Sequence, residues 1–306
     1  MRVESYKSKV ESELSSAITR LREVGVESPQ LDAQLMMAHA LGCSRIDVIA
    51  HPERVLSAQA LATFRAILDK RASRFPLAHI LGVKEFFGLE FIVSPAVLIP
   101  RPETEILVEE CLNRVGDAPV IADIGTGSGA IAVALAVNIP NARVWATDSS
   151  EEALKVARAN VEKHGVADRV SIVRGDLLEP LIALADGQGH HVPAQQRGFD
   201  AIVSNPPYIP SGVIESLEPE VRREPREALD GGIDGLDAYR RLFSQAVGLA
   251  KRASSLQESF LEGFIAVEIG IEQAAPVTQI AKAAGWTEVR IIRDLAGIER
   301  VAIARQ

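Results

Sequence analysis

The stretch VIADIGTGSG, from Val120 to Gly129, decides the fold of this chain. Its first half is mostly apolar, which is typical of a buried strand in a parallel sheet. Its second half is rich in glycine, which lets the backbone turn tightly and lets a ligand lie against main-chain atoms and the N-terminus of the next helix. A strand, a glycine-rich turn and a helix predict an α/β domain with a ligand at the turn. The motif alone leaves the ligand open, because Gly125, Gly127 and Ala130 also satisfy the looser dinucleotide fingerprint.

Strand and helix patterns alternate on both sides of this stretch. Strands are predicted at 120–124, 143–148, 170–174, 199–204, 264–270, 288–293 and 300–305, and helices at 103–115, 130–138, 151–163, 236–250 and 272–284. Such alternation predicts a Rossmann-like, doubly wound, mostly parallel sheet that is covered on both faces. Residues 294–299 are too few for a crossover helix, so the last two strands form an antiparallel hairpin and one strand is reversed.

The N-terminal part of the chain has a different period. Apolar residues at one-face helical spacing predict a small helical domain over residues 1–75. Residues 76–102 combine short strand patterns with helix-incompatible prolines, which predicts a linker that contains a hairpin. The sheet domain then occupies residues 103–306.

Composition excludes several classes of protein. The 306 residues are 47% hydrophobic and 24% charged, as in a soluble globular protein of about two domains, and no apolar run is long enough for a membrane helix. The polar N-terminus lacks a signal-peptide core, so we expect a cytoplasmic protein. The net charge of −8 argues against direct binding of nucleic acid. Cys43 and Cys111 fit helical cores, and the six histidines, including His190 and His191, lack metal-ligand spacing, so we expect no disulfide and no metal.

Two carboxylates follow the next strands. Asp148 ends the second strand about twenty residues after the glycines, where it can accept hydrogen bonds from a ribose diol. Ser149 and Glu152 predict a capping box that leaves Asp148 free for a ligand. Asp176 follows the third strand and could accept from an adenine amino group, although it is also a common turn former.

The fourth strand ends in the sequence Asn205-Pro206-Pro207-Tyr208. An asparagine before proline is extended and the prolines have no N–H, so the strand must stop here. The side-chain oxygen of Asn205 and the carbonyl of Pro206 are left as acceptors, and the ring of Tyr208 offers a flat face. This combination suits a planar NH2 group such as an amide or a nucleobase amine. The alternative is a turn that only ends the strand.

The candidate residues lie at the ends of four successive strands. In an open α/β sheet, ligands bind outside the carboxyl ends of the strands near the switch point. We therefore expect a nucleoside pocket with an NH2-orienting group beside it. S-adenosylmethionine completes this chemistry better than a dinucleotide does.

Several segments together resemble one family. They are Leu31-Asp32-Ala33 in the helical domain, PLAHILG at 76–82, IPRPETE at 99–105, DIGTGSG at 123–129, SNPPYI at 204–209 and ALDGGIDGL at 228–236. With them the chain resembles the class I S-adenosylmethionine-dependent methyltransferases, and within these the release factor glutamine methyltransferase family of the HemK/PrmC type. The NPPY sequence alone is shared with adenine-amine methyltransferases, whereas the whole set is far more specific.

The resemblance implies roles for particular residues. It implies that Asn205, Pro206, Pro207 and Tyr208 receive a substrate glutamine, with catalysis assigned to Asn205, Pro206 and Tyr208. The implied substrate is the glutamine of the Gly-Gly-Gln motif in class I peptide release factors, which the helical domain would help to recognise. The implied cofactor contacts are Gly125, Thr126, Gly127, Ser128, Gly129, Asp148, Asp176 and Asn205.

Two features depart from the family pattern, and two other functions stay open. Arg223 stands where an aromatic residue is expected, and the loop at 186–198 is longer than usual; both could alter docking of the release factor. The main rival function is an adenine-amine methyltransferase that acts on flipped-out bases of DNA or RNA. The other is a non-enzymatic nucleotide-binding module whose helical domain docks a partner.

Overall fold

A computed structural model of the chain describes residues 8–185, 199–254 and 263–305. The predicted loop at 186–198, with His190 and His191, and residues 255–262 lie outside the described residues. The chain divides into two compact units. The helical unit comprises Met1–Gly82 and Glu218–Arg223, and the sheet unit comprises Val83–Leu217 and Glu224–Gln306. The helical unit thus extends to Gly82, and the hairpin lies within the sheet unit.

The helical unit contains five α-helices among its described residues. They are α1 (Val10–Glu23), α2 (Pro29–Leu41), α3 (Arg45–Ala50), α4 (Ala58–Ala72) and α5 (Leu77–Leu81). Leu21, Met36 and Phe64 are fully buried at its centre, as the one-face spacing of apolar residues requires. Ser57 caps α4 by accepting the N–H of Ala60 at 3.1 Å.

Ion pairs join the short segment Glu218–Arg223 to these helices. Glu220 accepts hydrogen bonds of 2.6 Å from both Arg71 and Arg74, and Arg71 also donates to Asp32 at 2.7 Å. The guanidinium of Arg223 lies 3.9 Å from the ring centroid of Phe75. These contacts are the reason why the segment groups with the helices.

The sheet unit begins with the hairpin β1 (Val83–Phe86) and β2 (Leu89–Ile92), followed by a 3₁₀ turn at Pro102–Thr104 and α6 (Glu105–Leu112). The remaining elements alternate. They are β3 (Val120–Ile124), α7 (Ala130–Asn138), β4 (Arg143–Asp148), α8 (Glu151–Lys163), β5 (Val170–Arg174), α9 (Glu179–Ala185), β6 (Ala201–Ser204), α10 (Asp237–Ser254), β7 (Phe264–Glu268), α11 (Ala274–Ala284), β8 (Glu288–Arg293) and β9 (Glu299–Arg305).

The seven-stranded sheet has the order β5-β4-β3-β6-β7-β9-β8. Strands β3 to β7 are parallel, and β9 runs antiparallel to both of its neighbours, β7 and β8. The predicted mostly parallel sheet with one reversed strand is therefore confirmed. The order reverses between β3 and β6, which makes this the switch point where a ligand is expected.

Helices cover both faces of the sheet. Successive residues of β3 point to opposite faces, so that Ile121 packs into one core and Ala122 into the other. Helices α6, α7 and α8 pack on the first face, and α9, α10 and α11 pack on the second. Among the described residues, every helix is too short or too polar to cross a membrane.

Candidate active site at the switch point

A cavity of about 570 Å³ opens at the carboxyl ends of β3, β4, β5 and β6. Its size lies in the range usual for small-molecule sites. The sequence-predicted residues that line it are Gly125, Gly127, Asp148, Asp176, Asn205 and Pro207. The structure thus brings the four predicted strand ends to one cavity, which lies within the sheet unit.

The glycine-rich turn presents its backbone to this cavity. Gly125 and Gly127 have φ angles of 72° and 55°, in the left-handed region that favours glycine. The N–H groups of Gly125 and Thr126 both donate to the carbonyl of Thr147 at 2.9 Å, which fixes the turn against the end of β4. A Cβ atom at Gly125 or Gly127 would meet no atom within 4 Å, so the space beside them is open to a ligand.

The other residues of the turn hold it in place through contacts on the side away from the cavity. Thr126 is buried and donates to the carboxylate of Asp123 at 2.6 Å, while the carbonyl of Ser128 accepts from Asn160 at 2.8 Å. Gly129 packs against Ala157, where a Cβ would lie 3.3 Å from its atoms. Complete burial raises the pKa of Asp123 to about 7. Thr126, Ser128 and Gly129 therefore support the turn and are not among the described residues that line the cavity.

Asp148 ties the turn to the start of α8. Its carboxylate accepts the N–H of Gly127 and the N–H of Ser150, each at 2.9 Å. Burial raises its pKa above the ordinary value, and these two hydrogen bonds oppose that shift. The predicted capping box of Ser149 and Glu152 is wrong, because α8 begins at Glu151 and its cap is the side chain of Ser150.

Asp176 also lines the cavity, and its half-exposed side chain is paired with Arg241 at 2.5 Å. The preceding residue, Gly175, has no room for a side chain, because a Cβ would lie 2.6 Å from the ring of Pro180. The charged side chains among the described residues that line the cavity are Asp148, Asp176, Glu227, Asp230, Asp237 and Arg241. Three of these carboxylates are paired with arginines, namely Asp176 with Arg241, Asp230 with Arg226 and Asp237 with Arg240, and the other two acidic side chains of the cavity are Asp148 and Glu227.

The four residues of the NPPY sequence have different surroundings. Asn205 and Pro207 line the cavity, whereas Pro206 is buried and Tyr208 is not among the described lining residues. The amide nitrogen of Asn205 donates to the hydroxyl of Thr104 at 3.1 Å, so that the Oδ1 atom of the same amide is directed away from Thr104. Tyr208 is partly buried against the core, and burial raises its pKa above the ordinary value.

Sequence reasoning missed two polar residues that lie behind Asn205. The hydroxyl of Thr104 donates to the carboxylate of Glu268 at 2.6 Å, and the hydroxyl of Tyr208 lies 3.4 Å from the same carboxylate. Glu268 is only 2% exposed, and burial raises its pKa to about 7. A signal existed, because Glu268 is the single acidic residue of the buried strand β7 and stands at its carboxyl end.

Glu224 holds the segment that carries Thr104. Its carboxylate accepts the N–H of Ile99 at 2.9 Å and pairs with the guanidinium of Arg101. Pro102 then begins the 3₁₀ turn that ends at Thr104. Glu224 is buried, so this pair fixes the backbone of the IPRPETE segment beside the cavity. Among the described residues, no group of three or more histidine, cysteine or acidic side chains could hold a metal ion.

Comparison with known proteins gives matches over both units. Residues 14–82 match the model of the PrmC N-terminal domain, and residues 102–217 match that of the methyltransferase small domain. Among solved structures, the hMettl16 catalytic domain in complex with MAT2A 3′UTR hairpin 6 aligns with a TM-score of 0.55 and 18% identity. That alignment covers 78% of this chain and 81% of the other, and at this identity it shows the fold alone.

Curated relatives match at much higher identity. A release factor glutamine methyltransferase from Moorella thermoacetica is 42% identical over 294 residues, which cover 95% of this chain and 96% of the relative. One from Geobacter sulfurreducens is 42% identical over 286 residues, which cover 93% and 92%. With this identity over nearly the whole chain, and with the cavity and NPPY sequence described above, the chain belongs to the release factor glutamine methyltransferase family.

Proposed function

We propose that this protein transfers a methyl group from S-adenosylmethionine to the side-chain amide nitrogen of the glutamine in the Gly-Gly-Gln motif of class I release factors. The observation that carries the proposal is the Asn205 amide, which lines the same cavity as the glycine-rich turn and directs its nitrogen away, toward Thr104. An amide acceptor beside a nucleoside-sized cavity suits the NH2 group of a glutamine. Family membership supports the same substrate.

The residues of the cavity fit the proposed cofactor. Gly125 and Gly127 leave open space beside main-chain atoms, and the carboxylate of Asp148 lines the same cavity. We propose that Asp148 accepts from the ribose diol and that Asp176 accepts from the adenine amine, with Thr126, Ser128 and Gly129 supporting the turn. When bound, S-adenosylmethionine would supply an electrophilic methyl group on a sulfonium; transfer would break the S–CH3 bond, leave S-adenosylhomocysteine as the product and release one N–H proton of the glutamine amide to solvent. The proposal includes no metal.

On the substrate side, the task of the protein is orientation. An amide nitrogen is a weak nucleophile because its lone pair is shared with the carbonyl. We propose that Asn205 Oδ1 and the carbonyl of Pro206 accept the two N–H groups of the glutamine, which directs its lone pair at the methyl group. Pro207 would border the amide and Tyr208 would stack on it. Orientation and preorganised acceptors in a water-poor site can lower a barrier by several kcal/mol, so no strong base is needed.

The helical domain is proposed to help select the protein substrate, because a small cavity cannot distinguish one glutamine from many others. Arg223 and the loop at 186–198 are the positions where docking would differ from that of other family members. A release factor substrate also implies that the enzyme acts in the cytoplasm.

The test is methyl transfer with labelled S-adenosylmethionine. The protein is incubated with a class I release factor, with a variant of that factor whose Gly-Gly-Gln glutamine is replaced by alanine, and with DNA and RNA. Label is expected on the unaltered release factor alone. Label on the alanine variant would disprove the glutamine as acceptor, and label on nucleic acid would favour an adenine-amine methyltransferase.

A further inference from the structure

We infer that Thr104 and Glu268 are positioning residues that hold the Asn205 amide with its oxygen toward the substrate; this inference rests on the proposed function. The three side chains form a continuous chain of hydrogen bonds. Asn205 Nδ2 donates to Thr104 Oγ1 at 3.1 Å, and the Thr104 hydroxyl donates to Glu268 Oε2 at 2.6 Å. All three belong to the sheet unit, where Asn205 directly follows β6, Thr104 lies in the turn before α6 and Glu268 ends β7.

The direction of this chain follows from what each group can donate. An ionised carboxylate only accepts hydrogen bonds, and a threonine hydroxyl has a single proton. The proton of Thr104 is therefore committed to Glu268, and Thr104 Oγ1 can only accept from its other neighbour. That neighbour must present a donor, so the NH2 group of Asn205 faces Thr104 and its carbonyl oxygen faces the other way. Without this constraint the two ends of an asparagine amide are nearly equal in shape.

Burial makes the constraint strict. Thr104 and Glu268 are 4% and 2% exposed, so water has little access to satisfy an unpaired donor or acceptor. A flipped amide would place Asn205 Oδ1 against Thr104 Oγ1, two acceptors with no proton between them. Leaving buried polar groups unpaired in this way is costly. The chain thus preorganises the acceptor that the substrate amide requires.

The ionisation state of Glu268 determines the direction of the hydrogen bonds between Glu268, Thr104 and Asn205. The titratable and charged groups that face it are Glu103, Tyr208 and Arg300, and the hydroxyl of Tyr239 donates to its backbone carbonyl at 2.9 Å. Glu103 opposes ionisation of Glu268 and Arg300 favours it. A protonated Glu268 can donate to Thr104, which frees the threonine proton for Asn205 and permits the amide to flip. Transfer should therefore weaken at low pH.

Two substitutions at Thr104 separate the hydroxyl from the shape of the side chain. Thr104→Val keeps the shape and removes the hydroxyl, whereas Thr104→Ser keeps the hydroxyl and removes a methyl group. With release factor and cofactor both saturating, we expect kcat to fall about 100-fold in Thr104→Val and to remain near wild type in Thr104→Ser. Calorimetry should give an unchanged Kd for S-adenosylmethionine in both variants. A valine variant as active as the serine variant would overturn the inference.

The pH profile gives a readout that a merely structural role would not change. In the wild-type protein, kcat should rise with pH through the pKa of Glu268, which burial raises to about 7. The glutamine of the Glu268→Gln variant cannot ionise. We therefore expect this variant to have a lower kcat that does not rise with pH in this range. Thr104→Val should lose this rise too, because Glu268 still titrates there but no longer contacts Asn205 through a hydroxyl. If kcat still rose with pH through about 7 in both variants, the proposed chain of hydrogen bonds would be disproved.

A third measurement needs no release factor, so it separates this inference from the proposed function. In ¹⁵N-labelled protein, the side-chain NH2 resonances of Asn205 can be assigned by their loss in Asn205→Ala. Their exchange with solvent should be slow in the wild type and in Thr104→Ser, and faster in Thr104→Val. Equal exchange in all three would overturn the inference even if methyl transfer occurs. The expected exchange pattern without any methyl transfer would instead contradict the proposed function alone.

Discussion

The ends of two neighbouring strands, β3 and β6, form the two halves of the candidate site by different means. At the end of β3, the glycine-rich turn offers backbone atoms to the cavity, and Thr126 and Ser128 point away from it. At the end of β6, the backbone is closed by two prolines and the side chain of Asn205 lines the cavity. One half is therefore shaped by local backbone conformation, and the other by the orientation of one amide.

The two halves differ in the sequence separation of the residues that hold them in place. The glycine-rich turn is held mainly by residues within 32 positions of it, namely Asp123, Thr147, Asp148 and Asn160. Asn205 depends on Thr104, which is 101 residues away, and Thr104 depends on Glu268, which is 164 residues away. The cofactor half should thus be sensitive to backbone strain, and the substrate half to the loss of single polar atoms.

The largest expected effect is that of Asn205→Ala. It removes the proposed acceptor for the substrate amide, so we expect kcat to fall about 1,000-fold. Binding of S-adenosylmethionine should weaken much less, because the glycine-rich turn and Asp148 are intact. Calorimetry and single-turnover kinetics measure the two quantities separately. Equal losses of binding and turnover would mean that the two halves do not have separate tasks.

The next effect is on stability and compares the buried carboxylates behind the two halves, Asp123 and Glu268. Burial raises the pKa of Glu268 to about 7, so the folded protein keeps a proton that the unfolded chain releases near its ordinary pKa. The stabilisation that this proton provides is present at low pH and is lost as the pH rises toward 7. It corresponds to about 3 kcal/mol.

Glu268→Gln should therefore reduce the fall in the free energy of unfolding between about pH 4 and about pH 8. Part of the fall should remain, because burial also raises the pKa of Asp123 to about 7. Urea denaturation across this range measures both slopes. The same slope in variant and wild type would show that Glu268 is ionised normally in the folded protein.

Asp148→Asn should weaken cofactor binding by about 2 kcal/mol, because a partly buried group that accepts from Gly127 and Ser150 loses its charge and one acceptor atom. The matched control is Asp176→Asn. Asp176 is half exposed and paired with Arg241, so its loss should cost under about 1 kcal/mol. Calorimetric titration with S-adenosylmethionine ranks the two. A larger effect at Asp176 would reverse the assignment of the principal cofactor carboxylate.

Gly127→Ala should have a smaller effect on cofactor binding than Asp148→Asn. An alanine in the left-handed region costs about 1 to 2 kcal/mol, so we expect the turn to relax and the cofactor affinity to fall about tenfold. The kcat at saturating cofactor should change little. Gly116→Ala is the control, since this glycine has no positive φ and equally has no atom within 4 Å of a built Cβ. Similar effects at both glycines would show that backbone strain is not the cause.

Much of the fold was predictable because its signals are local. The bounds predicted for β3, α7, β4, α8 and β5 are those of the structure, since apolar runs, glycine turns and helical periodicity act over a few residues. The short helices α5 and α9 were missed, because five or seven residues carry too little periodicity to predict a helix. The place of β9 between β7 and β8 was not predicted either, because strand order depends on how the whole sheet packs.

The same division holds for the candidate site. The sequence by itself determined the glycine-rich turn, the carboxylates that end β4 and follow β5, and the proline-stiffened end of β6, because each is a local consequence of residue type. Only the tertiary structure decided that Arg241 pairs with Asp176 and that Thr104 and Glu268 lie next to Asn205. The physical reason is that a hydrogen bond between residues 65 to 164 positions apart leaves no periodicity or spacing in the sequence.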